Sequence, residues 1–230
     1  MTDSIRVMIE RRPKGKKVVA CAIDWPGWTR GAKTEDAALE VMESYRQRYR
    51  PVTGLAGLEP EYESAGDLEV VERIEGTGPT DFWGISFSSG STEYEPMSEA
   101  ECERRIALLQ ASWAHFDDVA HRVSSDLRKG PRGGGRDRDQ IVSHTYGTER
   151  DFAKKLGIIT PQGAMLTPDG LREHREAFTD AIRAYNAEGR SARTWTLQFL
   201  LRHSAYHFLD HAWEMEDRDM TEQEEYFSRQ

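Results

Sequence analysis

The chain has 230 residues and a formal net charge of -9, with 40 Asp and Glu against 31 Lys and Arg. This acidic balance disfavours nucleic acid or an anionic membrane as the main partner, so we expect neither and favour a small molecule or another protein. The two cysteines, Cys21 and Cys102, form no CxxC pair, which predicts no disulfide framework and suits a reducing compartment. The absence of an apolar signal core or a long apolar run predicts a cytoplasmic location.

The first part of the chain predicts an α+β unit. The segments "SIRVMIE" (4–10) and "KKVVACAID" (16–24) are β-branched runs separated by Pro13 and Gly15, which predicts a hairpin. Its basic tip either contacts phosphate or is simply solvated, as charged hairpin tips usually are. A helix is predicted to begin after an N-cap at Thr34 and to end before Pro51. The segments "DLEVVERI" (67–74) and "DFWGISF" (81–87) are predicted to be further strands.

One stretch of this unit has a familiar pattern. The segment "IDWPGWTRGAKTEDAALE" (23–40) contains a strand end, a Pro-Gly turn, a Gly-x-Thr and an acidic helix start. It resembles the HicB-like domain, and the resemblance implies an α+β fold for this part of the chain. No appended DNA-binding segment is evident, so a toxin-neutralising role is not implied.

The second part of the chain has a helical pattern. After the polar stretch "SSGSTEYEPMSEAE" (88–101), apolar residues recur with a helical period over 98–127, 137–156, 168–188 and 193–216. Four helices of comparable length predict an all-α four-helix bundle. We therefore predict two domains, an α+β domain over 1–95 and a helical bundle over 96–230.

Three histidines follow one another at four-residue intervals in "HSAYHFLDH" (203–211). A helical wheel places His211 beside the apolar stripe of the fourth helix, His207 one step further out, and His203 beyond it toward solvent. His207 and His211 are therefore the inner pair. An i, i+4 histidine pair with a third histidine is a common zinc or nickel site, because neutral imidazoles suit borderline cations.

The third histidine must come from another helix. His144 borders the apolar stripe of the second helix, and His174 borders that of the third helix and remains a competitor. His115 and His121 lie off the stripe of the first helix and are predicted to be surface residues. For His144 to meet the inner pair, the second and fourth helices must be antiparallel, so the segment 157–168 must cross the length of a helix.

The second part of the chain also resembles a known family. The segments "GPRGGGRD" (130–137), "IVSHTYGTERDFAKKLG" (141–157) and "LLRHSAYHFLDHAWEMEDR" (200–218) are similar to segments of the DinB/YfiT-like metalloenzymes. The resemblance implies an up-down-down-up four-helix bundle whose divalent metal is bound by His144, His207 and His211. It also implies thiol-dependent transferase or isomerase chemistry, with a low-molecular-weight thiol as cosubstrate.

Other polar residues are candidates for the same site. Glu214 either pairs with Arg218 at i, i+4, or orients a ligating imidazole, or acts as a general base on metal-bound water. The glycine-rich loop "RKGPRGGGRD" (128–137) precedes the second helix. Arg132 and Arg136 of this loop are candidates to bind a substrate carboxylate or phosphate, unless the loop is only a solvated connector.

The sequence supports two functions. The first is an enzyme with one divalent metal ion that acts on a small molecule, with Glu214 as its candidate catalytic residue. The second is a binding or regulatory module, in which the metal site is structural or vestigial and the HicB-like part contacts a partner. A fourth ligand such as His174 favours the module, since structural zinc sites are saturated and catalytic sites keep an open position. A homodimer is compatible with both functions.

Overall fold

The computed structural model describes residues 4–131 and 133–221. Its strands are β1 (Ile5–Arg11), β2 (Val18–Ala22), β3 (Thr29–Ala32) and β4 (Leu68–Glu75). They form a mixed sheet in the order β3-β2-β1-β4, in which β1 is antiparallel to β2 and parallel to β4. The helices are α1 (Glu35–Ser44), α2 (Arg46–Leu55), α3 (Glu59–Ser64), α4 (Gly78–Trp83), α5 (Glu99–Arg122), α6 (Arg138–Ala153), α7 (Pro168–Ala187) and α8 (Leu197–Arg218).

Local signals explain the start of α1 but not its end. The hydroxyl of Thr34 accepts a hydrogen bond from the Ala37 amide at 3.2 Å, so Thr34 is the N-cap as predicted. The helix ends earlier than predicted, at Ser44, and a second helix, α2, begins after Tyr45 and contains Pro51. Pro51 lies in the second turn of α2, where it removes one helical hydrogen bond.

The segment 81–87 is not a strand. It contains the last turn of α4 followed by a loop, so that part of the prediction is wrong. Pro79 occupies the first turn of α4, where its missing amide hydrogen costs nothing, and Thr77 and Thr80 form a capping box. Gly84 ends the helix in a left-handed conformation, with φ of 75°.

The predicted fold class, an α+β domain followed by an all-α up-down-down-up four-helix bundle, is wrong. The described chain is α+β, with a four-stranded mixed sheet and eight α-helices, and its C-terminal half is not a self-contained bundle. One hydrophobic cluster contains residues from both parts of the chain. It buries Trp28 and Tyr49 of the sheet half, the part that precedes residue 95, together with Leu108 of α5 and Leu209 and Trp213 of α8. The prediction failed because it assigned each helix one apolar stripe, whereas α5 and α8 each bury a second face against the sheet half.

Helices α6 and α8 lie side by side in opposite directions. The ring of His144 is 5.1 Å from that of His211, and further along α6 the ring of Phe152 is 5.4 Å from that of His203. Residue numbers therefore rise along α6 as they fall along α8, which is the arrangement that brings His144 to the inner histidine pair. Within residues 4–131 and 133–221, no helix combines the length and apolar character needed to cross a bilayer. The boundary near residue 95 stays a prediction.

Candidate metal centre

Three histidines converge between α6 and α8. His144, His207 and His211 each offer a ligand atom, and these atoms lie within 4.8 Å of one another. Ring centroids are 5.2 Å apart for His144 and His207, 5.1 Å for His144 and His211, and 4.7 Å for His207 and His211. These histidines are therefore close enough to hold a metal ion.

The protonation states of His144 and His207 suit metal binding. Burial lowers the pKa of His144 and, more strongly, that of His207, and the neighbouring imidazoles lower both further. Neutral imidazoles keep the lone pair that a cation needs. The Nδ1 atom of His207 is buried and has no hydrogen-bond partner in the described structure. A cation bound here would compensate the unfavourable burial of unpaired nitrogen atoms, so the residues fit a divalent metal.

Glu214 contacts both of its candidate partners. One carboxylate oxygen lies 2.8 Å from Nδ1 of His211, and the other accepts a hydrogen bond from Nη1 of Arg218 at 2.7 Å. The hydrogen bond with His211 is the largest cause of a lowered pKa at Glu214. A carboxylate on Nδ1 fixes the imidazole tautomer and leaves Nε2 free for a metal. The geometry thus favours an orienting role for Glu214.

Arg218 connects this carboxylate to the glycine-rich loop. Its Nε and Nη2 atoms donate to the carbonyl oxygens of Arg128 and Arg136, each at 2.8 Å. Gly135 has φ of 128°, and a Cβ atom at this position would lie 2.7 Å from Nη2 of Arg218. Glycine is therefore required where the loop passes Arg218.

The structure describes only one of the two loop arginines, Arg136. The side chain of Arg136 is exposed, and its positive charge contributes to the lowered pKa of His144 and His207. It therefore lies within electrostatic range of the histidine cluster, as a residue that binds an anionic group of a substrate must. Arg132 lies outside the described residues.

His203 does not point to solvent as predicted. It is 4% exposed, and its ring stacks on Phe199 with centroids 5.2 Å apart. Burial lowers its pKa to about 3. The wheel misplaced His203 because α8 is packed on several sides and has no continuous polar face. It is not one of the three histidines that converge.

His174 is also separate from the cluster. It is 3% exposed, and its Nδ1 atom lies 2.7 Å from the hydroxyl oxygen of Thr160. Burial lowers its pKa to about 4. His121 is exposed as predicted, but His115 is buried, with 7% exposure, so its prediction as a surface residue is wrong.

No family model, curated protein or solved structure matches the chain. The similarity to DinB/YfiT-like and HicB-like proteins therefore rests on the quoted sequence segments alone.

Sequence reasoning missed two buried polar clusters outside the histidine site. Arg202 of α8 pairs with Glu93, with a distance of 2.7 Å from Nε to a carboxylate oxygen, and both side chains are almost fully buried. In the helical half, Arg175 lies 3.5 Å from Glu149, which is completely buried. A charged residue within an otherwise apolar helical pattern was the available signal in each case, since such residues are buried only when paired or neutral.

Proposed function

We propose that the chain is an enzyme that uses one divalent metal ion, zinc or nickel, bound by His144, His207 and His211. The observation that carries this proposal is the convergence of three imidazoles, one of which is already oriented by Glu214. Three protein ligands leave a coordination position for water or substrate, which is the pattern of catalytic rather than structural zinc sites.

The residues around the cluster have distinct roles in this proposal. A metal held by the three histidines would lower the pKa of a bound water or thiol and would polarise a substrate. Glu214 holds the Nδ1 proton of His211, so it acts as a positioning residue with both oxygens engaged. Arg136 is exposed within electrostatic range of the cluster, and in this proposal it binds a carboxylate or phosphate of the substrate.

The reaction class comes from the family resemblance. We propose thiol-dependent transfer or isomerisation of a small molecule, with a low-molecular-weight thiol as cosubstrate. A thiol is a suitable partner because its sulfur binds zinc and nickel and ionises more readily on the metal. We place the protein in the cytoplasm because Cys21 and Cys102 are buried and free, as in proteins of reducing compartments.

The alternative, a binding module with a structural metal, needs a saturated site. The residue considered as its fourth ligand, His174, is engaged by Thr160 and does not join the histidine group found among the described residues. The geometry therefore favours the enzyme over the module.

The decisive experiment measures metal binding by titration calorimetry and by metal analysis of the purified protein. We expect one equivalent of zinc or nickel in the wild type and none in His207→Ala or His144→Ala. His121→Ala is the matched control, since His121 is exposed and outside the cluster. Equal metal content in the wild type and His207→Ala would refute the ligand assignment.

A second measurement separates the enzyme from the module. In the cobalt-substituted protein, a small thiol that occupies an open position produces a sulfur-to-cobalt charge-transfer band. We expect this band in the wild type. Titration of the cobalt protein with thiol without any spectral change would indicate a closed site and favour the module.

A further inference from the structure

Positive charge is concentrated at one end of the sheet. Six cations lie there, on the turn between β1 and β2 and just after β3: Arg11, Arg12, Lys14, Lys16, Lys17 and Lys33. None of them forms an ion pair with the described part of the chain, whereas most arginines elsewhere are paired. The carboxylates of Glu75 and Asp81 also lie at this end, and Glu35 and Asp36 follow Lys33 in the first turn of α1. Glu35 is paired with Arg73, so the six cations outnumber the other three carboxylates.

Two aromatic side chains project beside these cations. Phe82 is 75% exposed and Trp83 is 62% exposed, and both belong to the last turn of α4. Adjacent, strongly exposed aromatic residues are unusual on a protein surface without a partner. We call these six cations and two aromatic residues the basic-aromatic surface.

The basic-aromatic surface is held rigidly. Asp81 of α4 accepts hydrogen bonds from the backbone amides of Lys16 and Lys17, and Nζ of Lys17 donates to the Phe82 carbonyl oxygen at 3.0 Å. A Cβ atom on Gly31 would lie 2.6 Å from the carbonyl oxygen of Gly84, so the residue that ends α4 lies directly against β3. The aromatic side chains are therefore presented at a fixed position relative to the cations, which lowers the entropic cost of binding.

We propose that the basic-aromatic surface docks the protein on an anionic lipid bilayer. Cations near such a leaflet are attracted by its negative surface potential, and Phe and Trp side chains enter the interfacial region. The net charge of -9, which is unfavourable for a membrane, belongs to the whole chain. Charges on distant faces are screened beyond about 8–10 Å at physiological salt, so the local excess of cations decides the interaction.

The same surface fits a nucleic acid less well. Single-stranded nucleic acids stack successive bases on exposed aromatic faces. The rings of Phe82 and Trp83 are 5.4 Å apart at an angle of 89°, so they offer no pair of parallel faces to neighbouring bases. A wedge of two rings flanked by cations is better suited to insertion among lipid headgroups. This proposal does not depend on the metal site.

The test is co-sedimentation of the full chain with vesicles. We expect binding to phosphatidylcholine vesicles that contain about 30% phosphatidylserine, no binding to phosphatidylcholine alone, and weakening as salt is raised. Lys14→Glu with Lys16→Glu should lower the partition coefficient by at least about 30-fold, since each cation contributes a several-fold factor. Phe82→Ser with Trp83→Ser should lower it by at least about tenfold.

Matched controls keep the test specific. Tyr94→Ser removes an aromatic side chain that is 72% exposed outside the basic-aromatic surface, and Lys154→Glu with Arg190→Glu reverses two exposed charges elsewhere. Both controls should bind as the wild type does. Circular dichroism and thermal unfolding should show that the test variants fold normally.

Three outcomes would overturn the proposal. The first is no sedimentation of the wild type with anionic vesicles, and the second is loss of binding in the controls as large as in the test variants. The third is another occupant that binds more tightly than anionic vesicles and is lost in the same variants. That occupant would be revealed as an oligothymidine or acidic peptide in fluorescence anisotropy, or as a dimer in light scattering.

Discussion

Two buried polar clusters on α8 differ in how completely their atoms are paired. Arg202 donates to both oxygens of Glu93, to the hydroxyl of Ser86 and to the carbonyl of Ser88, at 2.7 to 3.0 Å. Glu10, nearby and fully buried, accepts from Ser86 and from the amides of Phe87 and Ser88, among others. The histidine cluster, by contrast, retains a buried nitrogen on His207 without a partner.

This difference in hydrogen-bond pairing indicates a structural role for the Arg202 cluster and a ligand-binding role for the histidine cluster. The Arg202 cluster is satisfied within the chain, so it fixes the segment 86–93 against α8 and needs no ligand. The histidine cluster is incomplete within the described residues, because Nδ1 of His207 is buried there without a hydrogen-bond partner. A buried polar group without a partner costs free energy, and a cation bound by the three imidazoles would offset that cost at His207.

Removal of the Arg202 side chain should have the largest effect on stability. Arg202→Gln leaves the carboxylates of Glu93 and Glu10 buried without their cation, which costs about 3–5 kcal/mol. Urea unfolding should show this loss, while the folded fraction keeps wild-type metal affinity. Arg50→Gln is the control, since Arg50 pairs with Glu59 at the surface and should cost less than about 1 kcal/mol. A metal affinity that falls together with stability in Arg202→Gln would break the distinction between the clusters.

Glu214→Gln should have the opposite profile. The variant keeps the shape of the side chain but loses the charge that holds the Nδ1 proton of His211, so zinc affinity should fall by about 10–100-fold with little change in stability. Asp217→Asn is the matched control on the same helix, because Asp217 pairs with Arg48 and contacts no histidine. Calorimetric titration with zinc measures the affinity of both variants. If the two variants lose zinc affinity equally, the loss comes from removing a negative charge anywhere on α8, and the orienting role of Glu214 is wrong.

The cluster of Arg175 and Glu149 sharpens the comparison, since a buried group that lacks a hydrogen bond does not by itself make a metal site. Both oxygens of Glu149 are buried without a hydrogen-bond partner, and burial raises its pKa from 4.5 to about 8. Folded protein therefore binds one more proton than unfolded protein between these values. Because the folded state is the one that holds the extra proton, stability should fall as pH rises through this window.

Glu149→Gln should remove this dependence. The free energy of unfolding of the wild type, measured in urea between pH 5 and 8, should decline relative to the variant by at most about 1.4 kcal/mol per pH unit. The variant should bind zinc as the wild type does. Glu176→Gln is the control, since Glu176 is exposed on α7. Parallel pH profiles for the wild type and Glu149→Gln would show that Glu149 is charged in the folded state.

The site was more predictable from sequence than the fold around it. The histidine pair follows from two local rules: residues at i and i+4 share a helix face, and residues beside an apolar stripe are partly buried. These rules selected His207 and His211 and left His144 and His174 as candidates for the third histidine, and the family resemblance implied His144. The ligand geometry depends on one helix pair, α6 and α8, so an error elsewhere in the fold does not disturb it.

The fold was less predictable because its decisive contacts are long-range. Leu209 and Trp213 lie on a second apolar face of α8, which a helical wheel with one apolar stripe assigns to the outside. They pack against Trp28 and Tyr49, which are distant in sequence. The same simplification misplaced His203. The segment "DFWGISF" was predicted to be a strand because its aromatic and β-branched residues favour strands. Pro79 and Gly84, which bound α4, outweigh that preference.

The smallest expected effect is that of Arg218→Lys. A lysine ammonium cannot match the planar contacts of Arg218 with Glu214 and with the carbonyls of Arg128 and Arg136. Because Arg218 reaches the histidines only through Glu214, zinc affinity should fall by less than about tenfold. Trypsin should cleave the loosened loop faster. Arg48→Lys, which alters a different arginine that contacts α8, is the control and should leave zinc affinity unchanged.

A double-mutant cycle tests whether Arg218 acts through Glu214. If it does, Glu214→Gln with Arg218→Lys should bind zinc as weakly as Glu214→Gln alone, because the second change has nothing left to transmit. Additive losses would mean that Arg218 influences the cluster by another route, such as the position of Arg136 in the loop. The glycine-rich loop would then contribute to zinc affinity independently of Glu214. The histidine site would depend on more of the chain than its three imidazoles, unlike the Arg202 cluster, whose polar atoms are paired among themselves.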